Sequence, residues 1–466
     1  MKASNMRQLL VLMLFFLIPL QAVAAPLSPQ QERAVDETVR EWLAGTEAPS
    51  VSIAVVRDGK VAYARAYGNA RLHPDVPATP QTRYRICSVT KQFTAAGILA
   101  LQDEGKLSLD DRVAKYFPDF ASADKVSIRQ ILSHTASYPD FWPADVPTPR
   151  MMRPVDLKLL LDEWATKPLA SEPGTEWRYS NTNFFIAGAI VEKVSGEPYF
   201  AFLQSHIFAP LRMNDVEDNA NPPPRLAYAT GYTRFGEGPV RQVSYAGPGW
   251  EYAAGGLAMT PTDLAKWDIS LMDRALLSPQ AYEAFYTPVK LNSGVNTKYS
   301  LGLGVYEPDG RLDLQHGGDG PGFAAENMMW PAEKSAVVVL TNNEWTRSIP
   351  SLRDDLVARI AYVVLPPTRN EARARAIFDG FRRGAVDRAL FNDEGNALLT
   401  AQVLADQKEG LARFGPPRAF IFLNEGASGG MMRRNWKIRT ANGTLSAIEI
   451  DDPNGKLEQF VVSKAE

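Results

Sequence analysis

The chain has 466 residues, 45% apolar and 22% charged, a usage that excludes a disordered chain and fits a packed protein. Its 50 Lys and Arg stand against 53 Asp and Glu with no basic run or aromatic-basic stripe, so nucleic acid is excluded as an expected partner. The length exceeds what one core usually holds, which predicts a large domain with a smaller companion.

Lys2 and Arg7 precede an apolar run from Leu9 to Leu20 and then Ala22-Val23-Ala24. That order is the signature of a secretory signal peptide over residues 1–24, cleaved after Ala24. The apolar core, about 12 residues, falls short of the ~20 that span a bilayer. No stable membrane insertion is expected, and the mature chain is expected to be periplasmic or secreted. Cys87 is the single cysteine, so no internal disulfide is available to it.

A polar helical stretch from Ser28 to Ala44 leads into two strands, Val51 to Arg57 and Val61 to Tyr67, with Asp58-Gly59 as the hairpin turn. From about 90 to 290 helical patterns alternate with Pro- and Gly-rich loops: Gln92 to Glu104, Ser127 to Ser133 and Phe184 to Val194. Strands return at Glu326 to Trp330 and Ala336 to Thr341, before a helix from Leu352 to Tyr362. A sheet built from both ends, with helices inserted between, predicts an α/β body over residues 25–365 with a helical lobe and a cleft at the join. Pro366-Pro367 breaks the pattern. Residues 366–466 then read as a small α+β domain of three helices followed by antiparallel strands.

A serine hydroxyl needs a base before it can attack a carbonyl. No G-x-S-x-G elbow exists, and four histidines, His73, His134, His206 and His316, offer little for a Ser-His-Asp triad. Two segments match S-x-x-K, in which the lysine shares a helix face with the serine. Ser88-Val89-Thr90-Lys91 follows an extended run and opens an amphipathic helix, where free N–H groups favour an oxyanion. Ser122-Ala123-Asp124-Lys125 lies in a polar connection and is set aside. Cys87 reads as a small buried hydrophobe rather than a thiol nucleophile. No metal-ligand cluster or cofactor motif appears, so neither a metal nor a cofactor is expected.

Tyr179-Ser180-Asn181 resembles the Y-x-N motif, and His316-Gly317-Gly318 the H-x-G form of the third motif, of class C β-lactamase-like serine hydrolases. Ser127 to Ala136, Pro173 to Asn181 and Ala254 to Leu257 resemble further stretches of that family, in the same order, across residues 30 to 365. Tyr67-Gly68-Asn69, a second Y-x-N, fails on order. The resemblance implies the β-lactamase/DD-peptidase-like fold: an antiparallel sheet flanked by helices, with a helical lobe. It implies Ser88 as nucleophile, Lys91 as base, and Tyr179 as a proton shuttle if its phenol is depressed by Lys91. Asn181 would bind the substrate's acyl side, and His316, a pH-dependent anion partner, would replace a lysine beside Gly318. The N–H groups of Ser88 and Asp319 would form the oxyanion hole, with the Asp319 carboxylate beside it. His134 would order its loop. A small-molecule or peptide substrate follows, peptidoglycan-derived peptides included: a carboxylic ester or a D-amino-acid amide first, with β-lactams, DD-carboxypeptidase substrates and a slowly acylating sensor as alternatives. The oligomeric state stays open.

Overall fold

The computed structural model describes residues 26–142, 147–219, 228–345 and 352–465. Residues 1–24, read from the sequence as a signal peptide, lie outside that range. The first helix, α1 (Pro29–Thr46), starts on a capping box between Ser28 and Gln31 with Pro29 just inside it. Strands β1 (Ser50–Arg57) and β2 (Lys60–Leu72) follow as a hairpin. Its two-residue turn, Asp58-Gly59, carries positive φ at both positions (50° and 70°), which matches the right-handed twist of the strands. Short β3 (Asp75–Pro77) lines the outer edge of β2.

The inserted helices come next, among them α2 (Thr90–Asp103), α3 (Ile128–Leu132), α4 (Asn181–Ser195) and α5 (Pro261–Asp273). The chain then returns to the sheet as β4 (Gly304–Tyr306), β5 (Asp313–Gly320), β6 (Phe323–Trp330) and β7 (Ser335–Thr341). The finished sheet is antiparallel throughout, in the order β3-β2-β1-β7-β6-β5-β4. Its ends come from both ends of the body, as the sequence pattern implies.

Both faces are covered. Val56, Leu314, Val338 and Leu340 join the core shared with the helical lobe, while Ile53, Val55, Val337 and Val339 pack against Val35 and Trp42 of α1 and Ile360 of α6 (Ala358–Val364). That double burial explains why β1 and β7 read as nearly unbroken apolar runs rather than as alternating ones.

After α6 come α7 (Arg369–Arg383), α8 (Asp393–Leu398) and α9 (Ala401–Ala412). Four strands, β8 (Pro417–Ser428), β9 (Met431–Thr440), β10 (Gly443–Asp451) and β11 (Leu457–Lys464), form a second sheet paired in chain order. Ile377, Phe378, Phe381, Trp436 and Ile438 give this C-terminal sheet domain its own core. It docks on the body through Tyr362 stacked on Phe420 and through Arg418, which donates to Glu41 at 2.8 Å. A cavity of about 850 Å³ lies between the two parts, and neither Ser88 nor Lys91 lines it.

Candidate active site

Ser88 sits in a one-turn 3₁₀ segment, Cys87–Val89, that runs directly into α2. Cys87 is held at a φ of 48°, a left-handed conformation uncommon for a side-chain-bearing residue, and this bends the chain so that Ser88 faces the cleft. Strand β5 presses against the same turn. A Cβ on Gly318 would stand 2.1 Å from the Ile86 carbonyl oxygen, so only glycine permits this approach. Strand β4 pairs with β5 only over Asp313 to Gln315, which leaves the outer edge of 316–319 facing the serine. The register closes at Gly320 and Phe323 around a two-residue loop, and antiparallel alternation then turns the Asp319 N–H away from β6 and toward that edge.

Lys91 is fully buried, and its Nζ stands 3.0 Å from Ser88 Oγ, 2.9 Å from Asn181 Oδ1 and 2.8 Å from the Ala254 carbonyl oxygen. Burial lowers its pKa to about 7, against a smaller opposing pull from Asp140. The partners define how a neutral amine is oriented here. The Ala254 carbonyl can only accept, and Asn181 presents its oxygen because its Nδ2 donates to both carboxylate oxygens of Asp140 at 3.3 Å. Two N–H bonds are thereby assigned, and the lone pair is left for the Ser88 hydroxyl proton.

Tyr179 lies half-buried with its ring centroid 4.8 Å from Lys91 Nζ and hydrogen-bonds with Ser88. Its phenol is pushed well above the usual tyrosine range by burial, which the bond to Ser88 offsets only in part. The expectation of a phenol depressed by Lys91 is therefore corrected: a desolvated, half-neutral lysine supplies too little positive charge to outweigh burial.

His316 requires a larger correction. It is buried, its Nε2 lies 2.8 Å from the Tyr299 hydroxyl, and its Nδ1 lies 2.5 Å from the Gly317 carbonyl oxygen. A carbonyl only accepts, so Nδ1 carries the proton and Nε2 accepts from Tyr299. Burial and nearby Lys91 lower its pKa to about 4, so it is neutral at physiological pH and does not act as a pH-dependent anion partner. Asn181 lines the cavity that opens on Ser88, with its amide oxygen toward Lys91 and its Nδ2 toward Asp140.

Asp140 escaped sequence reasoning. It accepts from the Asn181 N–H at 3.1 Å, starting α4, and fixes the Asn181 amide. An Asp after Pro139 in a loop reads as a turn residue, and only the fold brings it to Asn181. His134 orders its loop: Nδ1 accepts the Ser180 N–H at 3.2 Å, and the ring packs 4.2 Å from that of Tyr179. Ser122 belongs to a turn, with Lys125 exposed and 3.8 Å from Glu172, so the second S-x-x-K pair has no buried base. Burial pushes the Cys87 thiol well above its ordinary range, which removes it as a thiolate nucleophile at neutral pH. A narrow cavity of about 60 Å³ opens on Ser88, walled by Phe141, Trp142 and Trp250 and by Glu251 and Asp319.

A family model described as Beta-lactamase matches residues 35–361. Penicillin-binding protein 4* of Bacillus subtilis is 26% identical over 335 residues, covering 68% of this chain and 73% of that one. A D-stereospecific amidohydrolase from Streptomyces sp. is 27% identical with a TM-score of 0.58, covering 67% and 94%. The octameric penicillin-binding protein homologue from Pyrococcus abyssi, 21% identical, shares the fold across 93% of this chain and 96% of its own, with a TM-score of 0.63. The chain belongs to the β-lactamase-fold serine hydrolase family.

Proposed function

We propose that this member of the β-lactamase family is an exported hydrolase that forms an acyl-enzyme on Ser88 from a carboxylic ester or a D-amino-acid amide or peptide. The arrangement of Lys91 carries the reading: a buried amine with two acceptor-only partners and its remaining position on Ser88 Oγ. Ser88 Oγ attacks the carbonyl carbon while its proton passes to the Lys91 lone pair. The Ser88 and Asp319 N–H groups receive the resulting oxyanion. Lys91, now an ammonium, returns the proton through the Tyr179 hydroxyl to the departing amine or alkoxide as the carbonyl–leaving-group bond breaks. Because Tyr179 stays a phenol, it can donate in that step. Water then repeats the sequence on the acyl-enzyme and frees Ser88.

A neutral His316 weakens the case for β-lactams, whose carboxylate would find no cation at the third motif. Export rests on the sequence of residues 1–24. The test is mass spectrometry of protein treated with a fluorophosphonate, alongside the burst of p-nitrophenol from p-nitrophenyl acetate. A single adduct on the peptide containing Ser88, absent in Ser88→Ala, supports the reading. An unlabelled wild type, or an adduct surviving in Ser88→Ala, overturns it.

A further inference from the structure

The described residues that line the serine's cavity include two carboxylates, Glu251 and Asp319, and no lysine or arginine. Glu251 is a partner of Arg85, both carboxylate oxygens lying 3.1 Å from one guanidinium nitrogen, and it also accepts from Asn219 at 3.1 Å. Arg85 stands behind it over the Tyr245 ring and does not line the cavity, so the pair presents its negative end to the serine. Asp319 is solvent-exposed at the end of β5, one residue from the glycine that touches the nucleophile turn. Burial is the main cause of the raised ionisation thresholds of Tyr179 and Cys87, and the Asp319 charge adds to both.

Aromatic side chains line the cavity as well. Trp250 is buried and locked by its indole N–H on the Arg153 carbonyl oxygen at 2.8 Å, and Phe141 packs between it and Trp142. Aromatic faces and carboxylates attract the same ligand group, an ammonium, and an acyl group bearing a carboxylate would meet repulsion from Asp319. The third-motif side chain cannot reverse this, because both His316 nitrogens are bound within the protein.

We propose that Asp319 is a specificity-determining residue that makes the cleft select acyl donors with a free ammonium group beside the scissile carbonyl, amino-acid amides and unblocked peptides, and reject those carrying a carboxylate there. This rests on acylation of Ser88. The cleft thus sorts substrates by the charge next to the reacting carbonyl.

The experiment compares kcat/KM for alanine p-nitroanilide, its N-acetyl derivative and its N-succinyl derivative, in D and L forms, at pH 7, where the α-amino group is protonated. Wild type, Asp319→Asn and Asp319→Glu are measured at low and high salt. The expected wild-type order is free amine, then acetyl, then succinyl, with at least tenfold between the extremes, about 1.4 kcal/mol. Asp319→Asn should compress that ratio at least fivefold, Asp319→Glu should preserve it, and salt should compress it in wild type. A wild-type preference for the succinyl substrate, or a ratio unchanged in Asp319→Asn, overturns the proposal. A p-nitrophenyl acetate burst that persists alongside such a result confines the failure to selectivity. No burst in wild type overturns acylation and this inference together.

Discussion

Acylation should titrate with Lys91, and the structure states where. An ordinary lysine, at 10.5, is neutral in only about one molecule in 3,000 at pH 7, whereas one at about 7 is neutral in roughly half. The displacement from 10.5 to about 7 corresponds to about 5 kcal/mol by which the site, burial net of the opposing pull of Asp140, disfavours the charged amine. Stopped-flow bursts with p-nitrophenyl acetate from pH 5.5 to 9 should therefore show an acylation rate that rises about tenfold per pH unit below 7 and levels above it. Histidine does not offer a competing explanation at the site, since His134 and His316 are both pushed below their ordinary range. The same group has a stability signature. Its folded pKa lies below the unfolded one, so between pH 7 and 10.5 the unfolded chain binds more protons, and this contribution to stability rises with pH across that window. Lys91→Met should abolish acylation, remove that slope and raise Tm at pH 6. A rate limb near pH 10, or a Lys91→Met protein less stable than wild type at pH 6, would refute a base neutralised by burial.

Asp140→Asn removes the one carboxylate that raises the Lys91 pKa, so the rate limb should move to lower pH, by up to about one unit, in the same burst assay. His316→Asn should lower stability by about 1–3 kcal/mol in urea titration, because Tyr299 loses a buried acceptor, while the limb near pH 7 stays in place. Gly318→Ala forces a methyl into the Ile86 carbonyl; the burst should vanish and the urea midpoint fall, whereas alanine at the open Gly105, whose φ is 71°, should cost only about 1 kcal/mol and leave the burst intact.

The parts of the site that were legible in the sequence are those fixed by local geometry. A serine and lysine three apart at a helix start must share a face, and Asn181 opens α4 within two residues of Tyr179. The hairpin at Asp58-Gly59 and the helix beginning after Ser28 were readable for the same reason, since each is settled within a few residues. The strands lengthened in the structure: β2 runs to Leu72 rather than Tyr67 because β3 supplies an edge partner there. What the sequence hid were contacts made across the fold. Asp140 meets Asn181 from 41 residues away, and the fate of His316 is decided by Tyr299, whose loop carries no motif. Motif position suggested an anion partner there, but burial and two hydrogen bonds made it a neutral structural ring.

That reversal changes how the base is kept neutral. A second cation at the third motif would repel a charged Lys91, yet here that position is uncharged, and Asp140 pulls the pKa upward. Desolvation alone then holds the value near 7, and the site depends on staying dry around one nitrogen. Backbone also packs closely against the foot of the same residue. Gly302, at a φ of 73°, lies so close that a Cβ there would stand 2.7 Å from the Lys91 carbonyl oxygen, and its N–H donates to the Leu132 carbonyl oxygen at 3.1 Å. Phe184 covers the amine from another side, its ring centroid 5.5 Å from Nζ. Any change that admits water beside Nζ should raise the Lys91 pKa and move the rate limb to higher pH, even with Ser88, Lys91 and Tyr179 intact. Phe184→Ala, which opens the apolar cover without touching a hydrogen bond of the lysine, separates hydration from chemistry. A limb displaced to higher pH with an unchanged plateau would locate the control in burial, and a limb still at about 7 would refute the Phe184 cover as the source of that dryness.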